Sequence, residues 1–316
     1  MNSVISIRGL TKRYRGCDAL MGVDLDVPKG VVFAVLGENG AGKTTMIKIL
    51  TGFLKADSGT ASVLGLDCGR DALEIRRRVG YVSDSPAMYE WMRVEEIGWF
   101  AAGFYPDGFL TRYHELLDEF EVPLGRKLKS LSKGQRAKVA LALSISHEPD
   151  LLIMDEPTSG LDPVVRRQFL ESMVDRAATG RTVLLSSHHV NEVERVADYV
   201  AIVHGGKLRL CQPLADLKES VTELTLSLKD PAVAVPIPDC EVLNLSQSGR
   251  PCRMTVQSIS DEQIEQLRSH SSIVELAQTT PSLEDIFVAC THGSVPGMET
   301  DGDDAFSGEA HGVKAG

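Results

Sequence analysis

Eight residues constrain this chain more than any others: Gly37-Glu38-Asn39-Gly40-Ala41-Gly42-Lys43-Thr44. They stand between the apolar run Val31–Leu36 and a pattern that puts Met46, Ile47, Ile49 and Leu50 on one helical face. Glycines let successive backbone N–H groups turn toward a common centre with no Cβ in the way, and a helix starting there adds its own amides and positive dipole end. Strand, glycine turn and helix, in that order, are the context that a G-x-x-x-x-G-K-[ST] phosphate loop needs. Lys43 is then expected on the β- and γ-phosphates of a nucleoside triphosphate such as ATP, and the Thr44 hydroxyl on Mg2+.

The flanking sequence supports a parallel α/β fold over roughly 1–218. Leu151–Met154 and Thr182–Leu185 are further short apolar runs, each preceded by a helical pattern. Tyr199–Val203, Gly205-Gly206 and Lys207–Cys211 predict a hairpin with a tight glycine turn. The stretch at about 93–128 reads as purely helical. Val94, Ile97, Phe100 and Phe104 share a stripe there, as do Tyr113, Leu116, Leu117 and Phe120, and either stripe suits core packing or a docking surface. Residues 219–290 predict a small α+β domain: Leu224, Leu226 and Leu228 alternate as in a half-buried strand, and Ser260 with Gln263 forms a capping box. From about Thr291 the chain turns Gly-rich and acidic, and 291–316 is expected to be a disordered tail.

A net charge of −11 argues against a broad attraction to nucleic acid, and no nucleic-acid partner is expected. The six cysteines are far apart with no CxxC pair, as reduced thiols of a cytosolic chain would be. The longest run free of polar residues, Ile97–Tyr105, has nine residues against the ~18 of a spanning helix, so a membrane role is expected only through a partner.

Two further segments carry chemistry. Leu151-Leu-Ile-Met-Asp155-Glu156 ends an apolar strand in two carboxylates: Asp155 is placed to hold Mg2+, and Glu156, pointing elsewhere, to orient or deprotonate the attacking water. Without the phosphate loop, a solvated acidic pair at a strand end would be the better explanation. Leu131-Ser132-Lys133-Gly134-Gln135 precedes a helical pattern and offers either a capped helix start or a second anion site.

Together these segments closely resemble the nucleotide-binding subunits of ABC transporters, in particular bacterial drug- and antibiotic-export types, in order and spacing over residues 4–218. The resemblance implies a P-loop NTPase fold: a RecA-like core, an antiparallel β subdomain and a helical subdomain at about 85–135, with the small C-terminal α+β domain added. It makes Leu131–Gln135 the signature loop, Ser159-Gly-Leu-Asp162 the D-loop and Ser186-Ser187-His188 the H-loop. By the same likeness Tyr14 stacks on adenine, Lys43, Thr44 and Thr45 meet phosphate and Mg2+, Glu156 is the catalytic base, and His188 holds the γ-phosphate and water, with His189 facing elsewhere. Ser132, Gly134 and Gln135 would be offered across a homodimer or heterodimer interface, and Asp162 would couple the two sites.

Two positions depart from the pattern. Asp84 stands where the Q-loop glutamine is usual and is carried as a further catalytic and Mg2+-contacting group, while Lys133 replaces a signature glycine. The implied function is ATP hydrolysis driving export through a separate polytopic membrane permease, at the inner face of the cell membrane. A soluble ABC ATPase acting on ribosomes or DNA is the alternative, and a GTPase is disfavoured because no Asn-Lys-x-Asp motif occurs.

Overall fold

The structure is a computed structural model describing residues 3–292; the tail expected at 291–316 lies, from Gly293 onward, outside the described residues. The chain divides into two compact units: one runs to Val221 and includes Thr280–Thr291, and the other covers Thr222–Thr279.

The first unit opens on β1 (Ser3–Tyr14) and β2 (Cys17–Pro28), an antiparallel pair. Next come β3 (Val32–Leu36), α1 (Lys43–Leu50), β4 (Ser58–Val63), β5 (Leu66–Asp67), α2 (Ala72–Arg78) and β6 (Val79–Val82). The helical segment holds α3 (Val94–Ala102), α4 (Phe109–Glu119) and α5 (Lys133–Ile145). β7 (Leu151–Asp155), α6 (Pro163–Ala178), β8 (Thr182–Ser187), α7 (Val190–Val193), β9 (Tyr199–His204), β10 (Lys207–Pro213) and α8 (Leu214–Ser220) follow.

These strands form two sheets, β2-β1-β4-β5 and β10-β9-β3-β8-β7-β6. β3 lies parallel between β8 and β9, and β7 lies parallel between β6 and β8. All five residues of β3 and of β7 are buried, as a strand covered on both faces must be, which explains why both read as unbroken apolar runs. The expected hairpin forms with His204 opposite Lys207. One apolar cluster joins the antiparallel sheet (Ile5, Ile7, Leu25), α1 (Met46, Ile47, Leu50) and the parallel strands (Phe33, Val35, Ile153, Leu184). The phosphate-loop turn is thereby fixed between two packed elements.

The helical stripes divide. Val94, Ile97, Tyr113, Leu116 and Leu117 are buried, and the Tyr113 hydroxyl donates to the Val94 carbonyl at 2.8 Å. Phe100 and Phe104, at the far end of their stripe, are 40% and 67% exposed. They continue an aromatic surface in which Phe100 meets Tyr89 and Phe104 edge-on, and Tyr89 meets Trp91. Helix α3 is thus core at its start and surface at its end.

The second unit is a four-stranded sheet ordered β12-β13-β11-β14, formed by β11 (Val221–Leu228), β12 (Glu241–Gln247), β13 (Pro251–Gln257) and β14 (Ile273–Thr279). Helix α9 (Asp261–Ser269) starts on the expected Ser260–Gln263 capping box, and Leu267 joins the core of Leu224, Leu226, Leu228 and Met254. The last helix, α10 (Leu283–His292), buries Leu283 and Ile286 and belongs with the first unit.

Candidate functional site

β3 delivers the chain to the loop and α1 takes it away. Gly42 caps α1 in the left-handed region, at φ 107°, and a Cβ there would drive into the Ala19 carbonyl. At Gly37 a Cβ would meet the Val203 carbonyl at 2.5 Å. The loop is pinned from outside: Gly37 N donates to Ser187 O at 3.3 Å and Gly206 N to Ala41 O at 3.2 Å. Glu38, Asn39 and Gly40 are exposed, while Ala41, Gly42 and Lys43 are buried. The amides of Gly40, Gly42, Lys43 and Thr44 donate to no other group among the described residues.

The Lys43 ammonium is only 5% exposed. It donates to the carbonyls of Gly37 (2.6 Å) and Glu38 (3.1 Å) and stands 3.0 Å from Glu156 Oε1. That last contact is ionic without hydrogen-bond alignment, since Oε1 accepts no hydrogen bond. The other carboxylate oxygen, Oε2, meets His188 Nδ1 at 2.8 Å. Glu156 therefore lies between Lys43 and His188, its side chain 12% exposed and its backbone at φ 49° in the left-handed region. Its amide is held by the carbonyl and hydroxyl of Ser186, at 3.2 and 3.1 Å. A non-glycine residue in that region costs about 1–2 kcal/mol, which this scaffold sustains to turn Glu156 out of the β7 direction.

Asp155 ends β7 and is 2% exposed. Its Oδ1 accepts from Thr44 Oγ1 at 3.1 Å and from Ser186 Oγ at 2.7 Å. Thr45, next to Thr44 in the chain, is half-buried on α1. Burial and the nearby Asp155 charge push the Tyr81 phenol, on neighbouring β6, up to about 12.

The remaining predicted residues form two further groups. Tyr14, 43% exposed at the end of β1, has the Lys12 ammonium 5.9 Å from its ring centroid. Ser132 caps α5: its hydroxyl accepts from Gln135 N at 3.1 Å while Gln135 Oε1 accepts from Ser132 N at 3.2 Å. Gly134 is buried against Val165, and Asp162 caps α6 through Val164 N and Val165 N, both at 3.1 Å. Asp84 is exposed in the loop after β6, in a cavity of about 480 Å³ shared with Lys133, Arg136 and Ser159. No contact among the described residues joins Asp84 to Thr44 or Asp155. The ring of His189 lies on that of His188, with centroids 3.9 Å apart.

Two roles go unassigned in the sequence, one of them that of Ser186, which is named there only as part of the H-loop. Ser186 fixes both Asp155 and Glu156, and its signal was a pair of hydroxyls ending a fully buried strand. Glu192 binds Thr158 and Arg166 and carried no signal, because an acid in a polar helical stretch is commonplace.

The donor set suits a polyphosphate: unpaired amides at a helix start, one ammonium, and a loop that glycines keep open. The hydroxyl–carboxylate pair Thr44–Asp155 suits Mg2+. That ion binds through one or two protein groups plus phosphate oxygens, and the described residues offer no cluster of three or more His, Cys, Asp or Glu that would cage a metal alone. Among the described residues no helix is long and apolar enough to cross a membrane.

The sequence profile of the ABC transporter family matches residues 20–159. The daunorubicin/doxorubicin resistance ATP-binding protein DrrA of Streptomyces peucetius is 35% identical over 237 residues, covering 71% of this chain and 70% of that protein. The ABC transporter ATP-binding protein YtrB of Bacillus subtilis is 29% identical over 287 residues, covering 90% and 97%. The mouse ATP-binding cassette sub-family A member 7 is 38% identical over 214 residues, 66% of this chain and only 10% of that one. A solved structure described as the ATP-binding subunit of an ABC transporter is 32% identical, with a TM-score of 0.64 over 69% of this chain and 92% of the other.

Proposed function

The chain belongs to the ABC transporter family as an ATP-binding, ATP-hydrolysing member, and from that premise we propose that it works in a dimer and powers export through a separately encoded membrane permease. The resistance named in DrrA supports an exporter, and the lack of a spanning helix among the described residues supports a separate permease. The chain would then lie on the inner face of the membrane, with the aromatic surface of Tyr89, Trp91, Phe100 and Phe104 toward the permease.

The observation that carries the mechanism is the Glu156 carboxylate held between Lys43 and His188. Lys43 and the amides of the Gly37–Thr44 loop bind the phosphates, with Thr45 beside them, and Tyr14 stacks on the base. Thr44 and Asp155 would hold Mg2+, with Asp84 as a further ligand, and a bound ion would supply charge screening and polarisation of the γ-phosphoryl group. When Lys43 turns to the phosphates, Glu156 keeps its His188 partner and frees Oε1 to take a proton from water. His188 then aligns water and γ-phosphate. Ser132, Gly134 and Gln135 of a second copy or a paralogue complete the site, and Asp162 lies between the two sites. Loss of the γ-phosphate removes the bridge, and the dimer opens. The 219–290 zone serves interaction or regulation.

Glu156→Gln tests this reading. It should bind ATP normally, hydrolyse it at least ~100-fold more slowly, and accumulate a nucleotide-locked dimer on size exclusion. Wild-type turnover in that variant removes Glu156 from the role.

A further inference from the structure

We propose that Glu192 is a positioning residue that, through Thr158 and Arg166, ties the D-loop Ser159–Asp162 to the turn bearing His188, so that occupancy of one site sets the segment presented to the other. The proposal rests on the dimeric reading above.

Glu192 lies on α7, its side chain 12% exposed. The Thr158 hydroxyl, on a residue 3% exposed, donates to its Oε2 at 2.6 Å. Arg166 Nη1 stands 3.1 Å from its Oε1, and Arg166 Nη2 donates to the Leu161 carbonyl at 3.3 Å. One carboxylate thus holds both ends of Thr158–Leu161. On its other side, the amides of Glu192 and Val193 donate to the His189 carbonyl at 3.2 and 3.3 Å, one residue from His188.

The segments 156–158 and 188–192 are therefore cross-linked twice, by Glu156–His188 and by Thr158–Glu192. A displacement at His188 that follows the γ-phosphate passes through the second link to the D-loop. The clamp also has a tighter form in reach. Glu192 Oε1 and Arg166 Nε are both buried and neither makes a hydrogen bond, although the side chains are in ionic contact. Buried polar atoms are normally paired, and a turn of the guanidinium would pair these two. Two arrangements of one clamp are what a relay between sites requires.

The test uses the full chain in the Glu156→Gln background, read by ATP affinity, by the fraction of ATP-locked dimer and by thermal midpoint. Glu192→Gln keeps an acceptor for Thr158 but loses the charge facing Arg166. Thr158→Val removes the hydroxyl at nearly constant volume. Each should bind ATP within about two-fold of the parent, with a midpoint lower by no more than about 4 °C, yet form at least about five-fold less locked dimer; Thr158→Ser should restore it. Parental amounts of dimer in both variants overturn the proposal, as does a parallel fall in midpoint and ATP binding, which would mark a mere brace. A parent that forms no locked dimer overturns the dimeric reading itself.

Discussion

Lys43 and Glu156, 113 positions apart in the chain, meet at 3.0 Å with their side chains only 5% and 12% exposed. The cation that binds phosphate and the carboxylate that activates water are each other's counter-ion. An ammonium buried this deeply needs a partner, and the Glu156 carboxylate is the one that the fold places beside it.

Lys43→Met removes the cation and keeps most of the stem. ATP affinity should fall at least about 100-fold, the scale of two charge-assisted hydrogen bonds. Equilibrium binding of a fluorescent ATP analogue would show it; affinity within a few-fold of wild type would mean that the loop amides suffice.

Asp84 tests the assignment that the geometry supports least. If its loop carries it to Mg2+ in the loaded state, Asp84→Asn should leave ATP affinity within about two-fold while raising the Mg2+ concentration for half-maximal turnover several-fold. An unchanged Mg2+ midpoint, measured by titration of steady-state hydrolysis, takes Asp84 out of the metal shell and leaves it to the cavity with Lys133 and Arg136.

Gly42 sits at φ 107° against the Ala19 carbonyl. Gly42→Ala combines left-handed strain of about 1–2 kcal/mol with a clash against backbone. Calorimetry should show a melting point lower by about 5 °C or more, accompanied by loss of ATP binding. A stable variant with intact binding would mean that the loop can re-form around a Cβ.

His147 gives the pH dependence. Burial pushes its imidazole down to about 4, with the Arg176 charge adding to this. The Val79 backbone offsets part of this fall, more than the Arg176 charge adds to it, although neither ring nitrogen makes a well-formed hydrogen bond. The ring is stacked on Tyr105, centroids 4.4 Å apart. The unfolded chain takes up this proton near the ordinary value of 6.5 and the folded chain only near 4, so this site's contribution to stability drops as pH falls through that window. After allowance for partial exposure the loss is about 2 kcal/mol. Denaturant midpoints of His147→Phe between pH 7 and 4 should fall less than those of wild type; equal falls would place the ring in water.

The fold and most of the site were legible because they are local in sequence. A strand, a glycine turn and a helix announce the phosphate loop within fourteen residues, Val31–Thr44. Asp155 and Glu156 are adjacent at the end of an apolar run, and Ser132–Gln135 is a capping box by its spacing alone. What stayed hidden depends on pairs far apart in the chain. Glu192 gains its meaning from Thr158, 34 positions earlier, and Ser186 from Asp155, 31 positions earlier. Periodicity puts the stripe Val94–Phe104 on one face because it reports angle around a helix and says nothing of where the neighbouring helix stops. Asp84 was assigned by position in a motif, and the loop geometry that decides its neighbours has no signature in residue type.

The capping box at α5 bears on how Ser132 can be used. Its oxygen already accepts the Gln135 amide, which commits one lone pair inward and leaves the single hydroxyl proton to point elsewhere. The helix start thus aims a donor away from its own chain, ready for an acceptor brought by another molecule. Alanine at this position would weaken the first turn and delete that donor together, whereas Ser132→Asp would retain the cap while offering a negative charge outward, and so separate the two duties of one oxygen.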